Sequence, residues 1–143
     1  MVTLISGLIA GLVATIVMTV FMGSLGDDSP PPTALFYAKF VGGGEPAEYM
    51  MQGMVLHLVY GTLAGGIFAA AILFLGFVSV GTLGSALLWA LVYAFILFLG
   101  GAMFWMNAVL GVDPDGKMIG MFLFFHLVYG LVLGGWIGYG VLA

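Results

Sequence analysis

The chain has 143 residues, of which 64% are hydrophobic and 6% charged, with a mean hydropathy of +1.28. Soluble domains carry about 25% charged residues, so a water-soluble globule is excluded. Two lysines, no arginine and a net charge of −4 leave no basic surface to neutralise phosphates, which excludes nucleic acid as a partner. The lack of cysteine removes disulfides, thiolate metal sites, iron–sulfur clusters and thiol catalysis together. What remains is an integral membrane protein, because apolar stretches of about 20 residues cross a hydrocarbon core about 30 Å thick.

The first uncharged stretch, Val2 to Gly26, reads as one span. No positive n-region precedes it, so it is not expected to be a cleaved signal peptide. The first charged window follows, with Asp27, Asp28, Lys39, Glu45 and Glu48. Within this interfacial segment, residues 27–48, Pro30-Pro31-Pro32 imposes extended chain, and Thr33 to Val41 is apolar enough to lie at the membrane surface with Lys39 snorkelling. Gly42-Gly43-Gly44 then turns the chain, and Glu45-Pro46 signals the start of the second span. Tyr49 to Val112 is too long for one helix and suits two, with a tight turn between Gly76 and Gly84. The second charged window, Asp113, Asp115 and Lys117, leads into the last span, whose start is placed at Asp113-Pro114 and whose apolar run is Met118 to Ala143.

Four spans put both windows, 27–48 and 113–117, on one membrane face, and the two lysines orient that face to the cytoplasm of a multi-pass plasma-membrane protein. Tyr49, Trp105 and Tyr139 read as interfacial anchors, whereas Trp89 and Trp136 fall deeper, where the indole N–H needs a partner. The methionines, Met50, Met51, Met54, Met118 and Met121 among them, lack the matching register of a soft-metal site and read as adaptable filler.

The most specific feature is a duplication: the run from His57 to Gly66 (HLVYGTLAGG) aligns with that from His126 to Gly135 (HLVYGLVLGG), matching at seven of ten positions. The chain is therefore expected to be an all-α, four-helix bundle in a single membrane domain, residues 1–143, built from two parallel-repeat hairpins, 1–76 and 77–143. His57 lies nine residues beyond Glu48 and His126 nine beyond Lys117. Each is thus about 14 Å of helix from its last charge, at one depth in the membrane.

Each histidine heads a row of small residues at helical spacing: Tyr60, Gly61, Gly65 and Ala69 after His57, and Tyr129, Gly130, Gly134 and Gly138 after His126. The first span adds Gly7, Gly11, Thr15, Thr19 and Gly23, and Gly100-Gly101 gives the third a point of close contact or bending. Close helix packing is the first reading of these rows, with Gly7, Gly11, Gly61, Gly65, Gly130, Gly134 and Gly138 as its contact points. The histidines have two competing uses: a hydrogen bond that locks neighbouring helices, or a site. In the second case His57 and His126 would be metal ligands on the axis of a b-type haem, with Tyr60, Tyr129, Gly61 and Gly130 completing the cofactor site. A polar handle for a quinone or carotenoid is the further option.

The run Gly11-Leu12-Val13-Ala14-Thr15-Ile16-Val17-Met18-Thr19, together with His126-Leu127-Val128-Tyr129-Gly130, resembles small four-helix membrane proteins of unknown function from salt-loving archaea. The similarity covers mainly the first and fourth spans. It implies the fold and a halophilic source, which the acid excess suits, and carries no activity.

No acid or base lies within a span, and Ser6, Thr15, Thr19, Thr62, Ser79 and Ser85 form no nucleophile–base pattern, so neither ion coupling nor catalysis is expected. The leading expectation is a non-catalytic subunit without cofactor that packs among lipids against the other subunits of a larger, respiratory membrane complex. The alternatives are a bis-histidine haem b electron-transfer protein and a small pore or carrier for an apolar or uncharged ligand.

Overall fold

Residues 2–142 are described by a computed structural model. Met1 and Ala143, the outer limits of the expected repeats and of the last span, lie outside the described residues. Five α-helices follow in order: α1 (Leu4–Leu25), α2 (Pro32–Tyr37), α3 (Met50–Phe74), α4 (Leu83–Leu99) and α5 (Gly116–Gly138). A π-helical turn, Ala38–Gly42, extends α2, a 3₁₀ turn, Pro46–Tyr49, leads into α3, and a π-helix, Gly100–Val109, prolongs α4. Four of the resulting rods, Leu4–Leu25, Pro46–Phe74, Leu83–Val109 and Gly116–Gly138, are long and apolar enough to cross a membrane. The 22 residues of α1 alone rise about 33 Å, and Ile5, Val20, Ile67, Leu88 and Leu131 are among the exposed side chains along the rods.

Local chemistry fixes the ends. Thr3 caps α1 by accepting from the Ser6 amide at 3.0 Å, and Thr82 caps α4 in a reciprocal box with Ser85. The turn expected between Gly76 and Gly84 lies there, with Gly76 at φ +54° and the cap residue Thr82 extended. The start of α5 differs from the sequence expectation. Its cap is Asp115, whose Oδ1 accepts from the Met118 amide at 2.8 Å, and the helix begins at Gly116, so Asp113-Pro114 belongs to the preceding connection. The cap position needs extended backbone and a carboxylate turned back onto the first helical turn, a geometry Asp115 supplies. Asp115→Ala should therefore lower stability by about 1 kcal/mol while Asp113→Ala leaves it unchanged, as read by thermal unfolding in mild detergent.

The segment expected at the membrane surface is a folded element. Ala34 of α2 is fully buried, and the surface of α3 that receives it is Gly53, where an added Cβ would stand 2.7 Å from both the Ala34 amide nitrogen and its Cβ. Lys39 Nζ donates to the Val109 carbonyl at 2.8 Å, tying the turn after α2 to the last turn of the π-helix. Asp27 accepts from the Ser29 hydroxyl and, at 3.1 Å, from its amide, which holds the Asp27 carboxyl below the usual carboxylate range, with a smaller contribution from the charge of Lys117.

Two seams of small residues join the long helices. Along α1 and α3, the backbone of Gly7 and Gly11 lies against Gly61, Gly65 and Ala69. Along α4 and α5, Ala86, Ala90 and Ala94 face Gly138, Gly134 and Gly130. Such rows let backbones approach and gain dispersion contacts, the main attraction between helices in lipid, where no hydrophobic difference drives association. The α4 row of alanines is half of the second seam and was absent from the sequence reading, because alanine every fourth residue is unremarkable in an apolar helix. Hydroxyls turn back to their own helix: Thr15 donates to the Gly11 carbonyl at 2.6 Å and Thr19 to that of Thr15 at 2.7 Å. A third contact runs between α1 and α5, while α3 and α4 have no comparable seam.

Candidate functional site

Where α3 and α4 stand apart, side chains bridge the space. Tyr93 of α4 donates to the Ala64 carbonyl at 2.7 Å and sets its ring 5.2 Å from that of Phe68. Tyr129 of α5 donates to the Gly61 carbonyl at 2.8 Å. Below this bridge, toward the charged connections, lies a cavity of about 220 Å³. Its walls come from all five helices and the π-helix: Thr15, Met18 and Met22 of α1; Thr33 and Phe36 of α2; His57, Tyr60 and Gly61 of α3; Leu97 of α4; Gly101 and Trp105 of the π-helix; and Phe122, His126 and Tyr129 of α5. The lining is almost entirely apolar, with a few polar atoms converging on it, the usual make-up of a small-molecule site.

The two histidines line this one cavity yet differ in their bonding. The Nδ1 of His126 lies 2.8 Å from the carbonyl of Phe122, one turn earlier in α5, and the ring is buried, edge-on to Phe122 with centroids 4.4 Å apart. His57 Nε2 is enclosed and has no partner, and the same holds for the hydroxyl of Thr33, which also lines the cavity. A buried polar atom without a partner costs about 1–3 kcal/mol. Both residues line the cavity, whereas the buried hydroxyls of Ser6, Thr15 and Tyr129 all find a carbonyl within the chain. Trp136 Nε1 is a third unpartnered atom, away from this cavity, so the partner its depth demands is not supplied by the described residues.

Of the cofactor residues singled out from sequence, His57, His126, Tyr60, Tyr129 and Gly61 line the cavity. Gly130 does not. An added Cβ there would meet the Ala94 Cβ at 2.7 Å and the Ala90 carbonyl at 3.0 Å, so its role is in the seam with α4. Gly101 presses on the Phe122 ring, where an added Cβ would stand 2.7 Å from Cζ and 4.0 Å from His126 Nε2. The helix changes to π geometry at Gly100, and such widened turns are frequent at functional sites. Trp105, expected as an interfacial anchor, lines the cavity and meets Phe36 edge-on with centroids 5.8 Å apart.

Sequence reasoning missed Thr33 and Phe36, because an apolar hexapeptide after three prolines carries no signal that it folds back on the spans. Met18 and Met22 were passed over as filler, although their spacing with Thr15 sets them on one face of α1. The cavity volume also sets a scale: an engineered cavity of about 150 Å³ holds benzene. Some 220 Å³ therefore suits one ring with a short substituent, and a tetrapyrrole would require the helices to move apart. Among the described residues no group of three or more metal-ligating side chains comes together. Comparison with protein-family models, curated proteins and solved structures finds no match to this chain.

Proposed function

We propose that this chain is a multi-pass protein of the cell membrane, a bundle of four spans that binds a small, mostly apolar molecule in the cavity between α3 and α4. The observation that carries the reading is the unpartnered His57 Nε2 on an otherwise apolar cavity wall shared with His126. Binding there offsets the cost of leaving a buried polar atom without a partner, and the molecule's apolar body replaces space the side chains leave unfilled.

In this reading the bundle is two copies of a helical hairpin, α1 with α3 and α4 with α5. Support comes from the seams: Gly61, Gly65 and Ala69 lie against α1 as Gly130, Gly134 and Gly138 lie against α4. The copies have diverged in what surrounds the histidines, leaving one tethered to its own backbone and the other free to bind. Both charged connections then share a membrane face, which the bond from Lys39 to Val109 supports, and the positive-inside preference of the two lysines favours its cytoplasmic side.

An accessory-subunit role calls for a surface shaped to a protein partner. The outward side chains of the spans are mostly Leu, Ile, Val and Phe, which lipid tails cover as well as protein does, so the cavity favours ligand binding. The deciding experiment is purification from the native membrane in mild detergent, with absorbance and mass spectrometry on one fraction. The expected result is a stoichiometric small organic molecule. A stable protein complex with no such molecule would replace ligand binding by the subunit role, and a haem absorbance band would replace it by electron transfer.

A further inference from the structure

The hydrogen-bonding geometry of the cavity restricts the chemistry of its occupant, given the binding role proposed above. A carbonyl oxygen can only accept, so the 2.8 Å contact from His126 Nδ1 to the Phe122 carbonyl requires the proton on Nδ1. The neutral ring then presents a bare lone pair at Nε2, beside Gly101 on the cavity wall. A ligand atom placed there must donate a hydrogen bond; a ketone, quinone or ether oxygen would meet lone pair with lone pair. His57 and Thr33 belong to the same lining, with Nε2 and Oγ1 enclosed and unpartnered, so rotation of either side chain would turn a free donor toward a ligand oxygen. A hydroxyl is the smallest neutral group that donates and accepts through a single oxygen. An ammonium group would also donate, but the apolar wall would have to desolvate its charge. The surrounding rings, Phe36, Trp105, Phe122 and Tyr129, and the 220 Å³ volume suit a single aromatic ring.

We propose that the cavity takes a phenol-class group, a single ring whose neutral hydroxyl donates to His126 Nε2 and accepts from the His57 and Thr33 side of the lining. The test titrates 4-ethylphenol, 4-ethylanisole and ethylbenzene into the full chain in lipid nanodiscs, following tryptophan fluorescence and the ¹⁵N resonances of the two imidazoles. The phenol is expected to bind saturably and about tenfold more tightly than the other two, shifting the His126 Nε2 resonance. In His126→Phe the preference should vanish while ethylbenzene still binds, which shows that the variant is folded. Equal binding of all three probes to the unaltered chain would overturn the phenol assignment and leave the apolar site intact. Saturable binding of none would overturn both. Should His126→Phe fail to fold, His57→Phe serves instead, with a smaller loss of preference expected; an unchanged preference there would overturn the shared hydroxyl contact.

Discussion

Gly65→Ala should cost this protein about 3 kcal/mol and lower its melting temperature by about 10 °C, a large effect for one methyl group. The added Cβ would stand 2.5 Å from Gly11 Cα and 2.7 Å from its amide nitrogen, and would also strike the Gly7 carbonyl. All three are backbone atoms on α1, so no rotamer change can relieve the clash and the two helices must separate along their length. Separation forfeits the dispersion contacts of the whole seam, the chief attraction between helices in lipid. Gly65→Leu should leave no folded protein. Gly23→Ala on the same α1 meets nothing within 4 Å and should be neutral or stabilising by about 0.5–1 kcal/mol. Thermal unfolding of the three variants in one detergent checks the set, and an unshifted midpoint for Gly65→Ala would show that the α1–α3 seam is absent.

Gly101→Leu should abolish ligand binding while leaving most of the stability. An added Cβ meets the Phe122 ring at 2.7 and 2.8 Å, and a ring at the end of a side chain can swing aside where backbone cannot. The room into which the leucine and the displaced ring move is the 220 Å³ cavity itself. An affinity loss of more than about 100-fold for any single-ring probe is expected, since overlap with filled volume leaves the ligand nowhere to sit. Calorimetry or tryptophan fluorescence reads the binding, and unfolding in parallel confirms the fold. Retained affinity in a folded Gly101→Leu variant would place the ligand elsewhere.

The contrast between these substitutions shows what the sequence could disclose. The four spans were legible because uninterrupted apolar runs between two charged windows admit no other reading in a chain this hydrophobic. Gly61 and Gly65 were legible as contact points because glycine at every fourth position of a span has few other uses. The α4 residues that face Gly130, Gly134 and Gly138, namely Ala94, Ala90 and Ala86, were not, since alanine suits any helix and its row carries no periodic contrast with its apolar neighbours. The same uniformity hid the cavity. Which face of an all-apolar helix looks inward depends on its partners, and the gap between α3 and α4 arises from the tyrosines and phenylalanine that bridge it. The repeated histidines invited a symmetric pair of ligands, whereas one rings its proton onto its own backbone and the other does not. That difference depends on which carbonyl lies within reach, a property of backbone geometry that a repeat in the sequence does not reveal.

Tyr60 and Trp105 both line the cavity and are both substantially exposed on the outer surface of the rods, 42% and 37% respectively. In the binding role proposed above, these two rings are where the site meets the acyl chains. A guest dissolved among acyl chains can diffuse in along the plane of the membrane without crossing water. Occupancy of the site will then follow the guest's mole fraction in the lipid, so that adding vesicles at fixed total guest dilutes the site as surely as adding a competitor.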